Sequence, residues 1–374
     1  MSKEKIDKDF KCLLDAFPNN EVFIFGSTLR NLLFGKSIDQ IYVFVQCAKK
    51  DKQEVYSFAL EYFEKNNIDS QKYVIMLDTK LDLSNKIFSL DTLYCDLQSL
   101  LEGSPIIQSK HKGVEDIKKK VVRIINKHQE RIDIKPEIIL QTINLATEIG
   151  FNIEVNTLSL LFSKRHLVKN LTNLHLYNLL IDIFNKCLKP RKMVAFLNTL
   201  GISKEVFGDN LNETASLNHL NKTDDLEFIS LCFSLFEEKE LRKTLSIKLG
   251  ISDGDLNYIC NITKIVSDIE NESELTARKI LNICGKERSL SISRLVKSLG
   301  FKDLGKKIKE QKNSVITFSE LAITREDIKA SFKVEDHKIN EMLDLAMNKV
   351  LEDPAINEKA KLLIMLNKIL KTSS

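Results

Sequence analysis

The chain has 374 residues, 43% of them hydrophobic and 29% charged, with a net charge of +4. That balance excludes wholesale disorder, and the length accommodates several small domains. No apolar run reaches the ~18 residues of a transmembrane helix, and the charged start Met1-Ser2-Lys3-Glu4-Lys5-Ile6-Asp7 precedes no apolar signal segment.

With only 12 Gly and 5 Pro, the chain lacks the turn residues of an all-β protein and reads as rich in helix. The strand signals gather in residues 1–105. Glu21-Val22-Phe23-Ile24-Phe25 is a short β-branched and aromatic run that ends at Gly26-Ser27. Thr28 to Phe34 reads as a short helix stopped by Gly35. Gln40 to Val45 reads as a second strand, Lys52 to Lys65 as an amphipathic helix, and Lys72 to Leu77 as a third strand. From about residue 115 the pattern turns helical. Pro136 opens a helix with Ile139, Ile143 and Ala146 on one face, and Gly150 ends it. Helical segments follow over 173–188, 190–200, 225–236, 238–248, 253–269, 274–284, 289–299, 324–331, 335–352 and 356–371, with Lys189-Pro190 and Gly208–Thr223 as the expected linkers. The pattern reads as a small α/β head followed by a long helical body.

The seven cysteines are dispersed, with no C-x-x-C pair, so neither a disulfide framework nor a structural zinc site is expected. Cys47 and Cys95 read as core thiols, and a reducing cytosol is the expected compartment. None of the six histidines forms H-x-x-x-H or is followed directly by an Asp in an H-D pair. Charge is uneven. Residues 109–135 carry a local net of +5 and residues 286–312 a net of +6, which leaves about −7 for the rest. Two basic blocks in an acidic frame suit a polyanion. Lys118, Lys119 and Lys120 with Arg123 and Lys127 could line a phosphate path, as could Lys306, Lys307, Lys309 and Lys312. Few aromatics interleave with either block, so no single-strand stacking platform is expected.

The segment Val22 to Lys36 resembles the head of the class II RNA nucleotidyltransferases, the tRNA CCA-adding enzymes and bacterial poly(A) polymerases. Their pattern is an apolar strand, then G-G/S-x-x-R-D-x-L-L-G-R/K, then a strand with D-x-D. The resemblance continues in order along the chain. Phe88 to Leu93 is similar to the R-R-D-F-T segment, and Gly113 to Ile117 to the G-G-x-x-D turn. Lys135 to Phe151 is similar to D-P-x-R-x-L-R-A-x-R-F-A-x-x-x-G-F, and Leu174 to Phe207 to the neck helices. Leu321 to Ile328 and Val350 to Lys359 are similar to the tail. The fold class that the resemblance implies is α+β, with a small mixed-sheet head over 1–112, a helical neck over 113–208, and a helical body and tail over 209–374.

The resemblance implies that Gly26 and Ser27 form a tight turn that approaches a nucleotide's phosphates, with Arg30 on a phosphate or bracing the turn. It also implies two aspartates on alternate residues of the second strand, which share a face and hold Mg²⁺. Here those positions are Gln40 and Tyr42. Asp39 is adjacent, but no register restores D-x-D. R-R-D becomes Asn85-Lys86-Ile87, the base-selecting Asp and Arg fall at Lys135 and Ile138, and later arginines become Gln141 and Asn144. The Asp after the head arginine is Asn31. Apolar positions are kept while polar ones are lost, as expected of a chain still selected to fold but not to hold metal. The expected function is RNA binding, to tRNA or a tRNA-like RNA, without nucleotide transfer and without a cofactor. One alternative is an active CTP/ATP:RNA 3′-nucleotidyltransferase using Mg²⁺, with Asp39 joined by Asp78, Asp82 or Asp91. The other is a protein-interaction scaffold.

Overall fold

The computed structural model describes residues 3–372 apart from 223, 270, 315, 316 and 333. The chain packs as two compact units, one of Met1–Thr172, Lys186–Leu188 and Thr199–Val206, the other of Asn173–Asn185, Lys189–Asn198 and Phe207–Ser374.

The first unit opens with α1 (Lys3–Ala16), β1 (Glu21–Phe25), α2 (Ser27–Leu33), β2 (Ile41–Gln46), α3 (Lys52–Lys65) and β3 (Tyr73–Asp78). It continues with β4 (Leu93–Asp96), α4 (Leu97–Leu101), β5 (Gln108–Ser109), α5 (Gly113–Lys119), β6 (Val121–Val122), α6 (Arg131–Ile134), α7 (Glu137–Ile149), β7 (Asn152–Ile153) and α8 (Val155–Lys164). The three strands and the Lys52–Lys65 helix expected in the head are present, shifted by at most a residue at their ends. The short β4 to β7 and the helices α1, α4 and α8 were not expected. Their apolar runs are too short, or too mixed with charge, to show a period.

The five-stranded sheet has the order β3-β2-β1-β4-β5. β1 is antiparallel to β2 and β4, and β2 runs parallel to β3, so the sheet is mixed. Alternation sorts its faces. Val22, Ile24, Ile41, Val43, Val45, Leu93 and Cys95 point into one core with Phe10 and Leu13 of α1, Leu29 of α2, Ala59 and Phe63 of α3, and Leu97 of α4. Each of the larger side chains contributes about 1.5–3 kcal/mol by leaving water. The opposite face carries Phe25 and Phe44 with Phe23, Tyr42, Met76 and Tyr94, and Leu81 and Leu83 from the segment after β3 fold over it. Val114 and Ile117 of α5 join the helix-side core, so the division expected at 112/113 lies inside this unit.

In α7, Ile138, Ile139, Leu140, Ile143, Leu145, Ala146 and Ile149 are all buried, and Gly150 ends the helix in the left-handed region at φ 77°. β6 and β7 pair in parallel beside it.

The second unit is helical throughout its described residues, apart from connections. Its 225–232 helix is buried along Leu226–Cys232, and Phe228 stacks on Phe184 at 4.2 Å. Arg278 donates to the carbonyls of Leu351 at 2.7 Å and Glu352 at 3.3 Å, meeting acceptors that the 336–352 helix leaves open at its end. The 302–310 helix does not show in the sequence pattern: Leu304 and Ile308 are too few apolar residues to reveal a period among their charged neighbours. The Gly208–Thr223 stretch is not a free linker. Asn198 clamps Leu211 through both its backbone groups at 2.9 and 3.0 Å, and Leu217 is fully buried. Thr223 itself lies outside the described residues. Among the described residues no helix is long and apolar enough to cross a membrane.

Candidate functional site

The turn between β1 and α2 holds Gly26 and Ser27, with Arg30 one turn further on, the residues that the resemblance sets beside a nucleotide's phosphates. Gly26 has φ 67° and ψ −137°, a backbone conformation only glycine adopts without strain. Its N–H donates to the Leu93 carbonyl at 2.9 Å, which pins the turn to β4. Ser27 starts α2 and is half-buried. Thr28, to which no sequence motif points, is the fastener: its hydroxyl donates to the Gln40 carbonyl at 3.1 Å and accepts from the Tyr42 N–H at 2.8 Å. One buried hydroxyl thus sets the start of β2 against α2.

Arg30 braces the turn. Its guanidinium pairs with Asp91, and its Nε donates to the Asn31 Oδ1 at 3.2 Å. Asn31 in turn donates to the Ser37 carbonyl at 2.9 Å. Arg30 and Asp91 therefore neutralise one another, and the Asn that stands after the arginine supports the 34–37 loop.

Tyr42 lies on the sheet face away from the helices, and Gln40 is exposed immediately ahead of β2. Tyr42 meets Phe25 edge-on at 5.8 Å, and its hydroxyl reaches the Gln40 Oε1 at 3.4 Å. Lys86 closes over this pair. Its ammonium lies 4.9 Å from the Tyr42 ring centre and 5.3 Å from that of Phe25. It would be 3.7 Å from a Cβ on Gly26, so it sits directly beside the turn. It is half-buried, and none of the described carboxylates pairs with it. Lys110 repeats the arrangement 5.4 Å over the Tyr94 ring. Phe23, Phe25, Tyr42, Phe44 and Tyr94 gather on one sheet face, with Phe25 and Phe44 buried beneath Leu81 and Leu83 and with Lys86 and Lys110 over rings at its margin. The aromatics lie on three separate strands, so no window of sequence showed them together.

These residues do not fit a Mg²⁺ ion. An amide and a phenol stand where two carboxylates are needed, and an ammonium approaches them. The other carboxylates do not gather there. Asp39 is exposed ahead of β2. Asp78 pairs with Gln46, four residues beyond the Tyr42–Val74 level, roughly 13 Å at ~3.3 Å per residue. It is held by Lys52 at 2.9 Å, and that hydrogen bond, with one from the Thr79 N–H, keeps its carboxyl below the usual range. Asp82 accepts from the Ser84 N–H at 2.8 Å, and Asp91 belongs to Arg30. Among the described residues no group of three or more His, Cys, Asp or Glu is placed to hold a metal.

The first basic block divides by role. Lys118, Lys119 and Lys120 are exposed on the last turn of α5, with Lys119 paired to Glu115. Arg123 instead turns inward. It grips the fully buried Asp116 through Nε and Nη2, each at 3.0 Å, and reaches Glu154 at 3.1 Å. Ser89 adds a hydroxyl bond to Asp116 at 2.6 Å. Hydrogen bonding to Asp116 raises the Arg123 pKa further above its ordinary value. The side chain of Lys127 lies outside the described residues. In the second unit Lys306 is exposed beside Glu310, while Lys307 donates to the Glu272 carbonyl at 2.6 Å and anchors the loop before the 274–284 helix. Lys309 and Lys312 are exposed. Of the neck positions, Lys135 is exposed and Ile138 is 1% exposed, buried with the apolar residues of α7.

No family model matches the sequence, and no curated protein matches it. Solved structures do. The Bacillus stearothermophilus CCA-adding enzyme in complex with CTP superposes over 100% of this chain and 99% of its own, with a TM-score of 0.68 and 14% identity. The Thermotoga maritima CCA-adding enzyme complexed with tRNA covers 99% of this chain and 96% of its own, with a TM-score of 0.59 and 15% identity. A CCA-adding enzyme with ATP gives 0.59 at 17% identity, over 94% and 90%. The chain therefore has the fold of the CCA-adding enzymes along its whole length.

Proposed function

We propose that this chain is an RNA-binding relative of the CCA-adding enzymes that holds tRNA or a tRNA-like RNA without transferring nucleotides to it. The observation that carries this reading is Tyr42 beneath the Lys86 ammonium with its hydroxyl against Gln40, a pair that offers none of the carboxylates that two-metal transfer requires. The fold is shared with enzymes solved with CTP, ATP and tRNA, which makes RNA the natural ligand class. Lys118, Lys119 and Lys120 in the first unit and Lys306, Lys309 and Lys312 in the second are exposed cations suited to phosphates. Seven cysteines without a disulfide suit a reducing cytosol.

Primer extension tests the reading. Purified protein is mixed with tRNA lacking its 3′ CCA, with CTP, ATP and Mg²⁺ or Mn²⁺, and the same samples are run for an electrophoretic shift. The expected result is a salt-sensitive shift without extension. Metal-dependent extension that Asp39→Ala abolishes would establish an active enzyme instead. Neither extension nor shift would turn the assignment to a protein-interaction scaffold.

A further inference from the structure

We propose that the open edge of β3 docks an extended segment of a partner protein, which adds to the sheet as one more strand and seats an apolar side chain between β3 and α3. The inference goes beyond the RNA-binding reading and does not depend on it.

β3 is the outermost strand on its side of the sheet, and its register with β2 runs unbroken from Tyr73 to Asp78. The backbone polar groups of successive residues in a strand point to opposite sides. The Asp78 carbonyl accepts from the Cys47 N–H at 3.0 Å on the β2 side, whereas the Tyr73 N–H donates back to the Ser70 carbonyl. The groups that point away from β2 are therefore the Tyr73 carbonyl and the N–H and carbonyl groups of Ile75 and Leu77. None of the described residues bonds to them. Soluble proteins guard such edges with Lys, Pro, a bulge or a covering element. Tyr73-Val74-Ile75-Met76-Leu77 holds neither Lys nor Pro, and the unbroken register leaves no bulge. An extended chain is the ligand whose own backbone supplies the matching donors and acceptors.

Side chains on the helix side of the sheet define what that chain carries. Tyr73, Ile75 and Leu77 point there and join the core shared with α3. Beside them opens a cavity of about 260 Å³, lined by Tyr56, Leu60 and Phe63 from one face of α3 and by Tyr73 and Ile75. Tyr56 is left 45% exposed at its margin. A strand added at ~4.8 Å from β3 turns every second side chain toward this cavity, which has room for an aliphatic or aromatic one. Charge sets the flanks. Lys72 is paired with Asp9 and Lys52 with Asp78. Glu64, one turn beyond Leu60 on α3, and Asp69, just before the 70–72 turn, are exposed and meet no described cation. A segment with a basic residue near its apolar anchor therefore fits. The β3 edge of a second copy would bring the same carboxylates and be repelled.

The test pans the full chain against a phage-displayed library of random peptides about twelve residues long, enough to span β3. Enriched peptides should alternate apolar residues and carry Lys or Arg, and the leading one is synthesised with a fluorescent label for polarisation titration. N-methylation at alternate residues reads the binding mode. On the set whose N–H groups face β3 it should weaken binding by about tenfold or more, and on the other set it should leave the affinity nearly unchanged. Tyr56→Glu, a change at an already exposed position, should also weaken binding by about tenfold or more, with an unchanged circular dichroism spectrum. A library that enriches nothing, a peptide affected equally by both N-methylated sets, or one that binds Tyr56→Glu as tightly as the parent overturns the inference. A concentration-dependent dimer in analytical ultracentrifugation that Tyr56→Glu dissociates overturns it as well, because a second copy is then the occupant.

Discussion

Arg123 is basic, lies in the most charged stretch of the first unit, and looks like a phosphate ligand, yet its geometry makes it a structural cation. Replacing it with methionine keeps most of the side-chain volume and removes the charge. Asp116, 0% exposed, then keeps only the Ser89 hydroxyl at 2.6 Å of the side-chain hydrogen bonds that now hold it, and Glu154 is left without its partner at 3.1 Å. Breaking a buried pair from one side costs about 3–5 kcal/mol because a desolvated charge is left uncompensated. Arg123 retains some solvent exposure, which places this case near the lower end, about 3 kcal/mol. That is roughly two decades in the local opening equilibrium. Hydrogen exchange read at the amides of β4 and β6 measures it directly. At a temperature where the variant stays folded, the dependence of RNA affinity on salt should be unchanged, because no phosphate-binding cation has been removed. Replacing Lys118, Lys119 and Lys120 with alanine should do the reverse. Stability should shift little, and the salt slope should become shallower by roughly 0.7–0.9 for each phosphate that is no longer neutralised. The reasoning is refuted if Arg123→Met costs under about 1 kcal/mol while flattening the salt slope by as much as one phosphate accounts for.

Gly113→Ala should lower stability markedly, since a Cβ there would lie 2.5 Å from the Ser89 carbonyl and 3.2 Å from Leu93; thermal melts of the two proteins compare it. Glu154 gives an acid-sensitive interaction. Burial alone would raise its pKa, but N–H groups of Thr157 and Asn156 and the charge of Arg123 outweigh that and lower it. A lowered folded value means that its stabilisation is complete above the ordinary carboxylate pKa of about 4.3 and fades as pH falls through the folded one. Glu154→Gln should therefore be less stable than the parent at neutral pH, with the gap narrowing in urea titrations below about pH 4. Burial pushes the Cys95 and Cys284 thiols up to about 12, so a thiol reagent at pH 8 should modify them only after denaturant is added, with half-exposed Cys12 reacting first.

Local pattern alone was enough for the first three strands and most of the longer helices, and not for β4 to β7 or the 302–310 helix. Alternating apolar residues over Glu21–Phe25 and Ile41–Gln46, and the helical spacing of Ile139, Ile143 and Ala146, are periodicities that short segments carry by themselves. That Gln40 and Tyr42 stand where the resemblance implies two carboxylates was equally plain, because it concerns only which residues occupy two positions. Tertiary structure decided what surrounds them. Lys86 meets Tyr42 only because Leu81 and Leu83 fold the segment after β3 across the sheet, and Asp91 meets Arg30 across 61 residues of sequence. The same holds for the lysines and arginines. Sequence counts Arg123 with Lys118 and Lys307 with Lys306, because it records charge and not direction. Burial separates them: a cation beside a buried Asp116 or a loop carbonyl is held by the fold, and one on an exposed helix turn is free to meet a ligand.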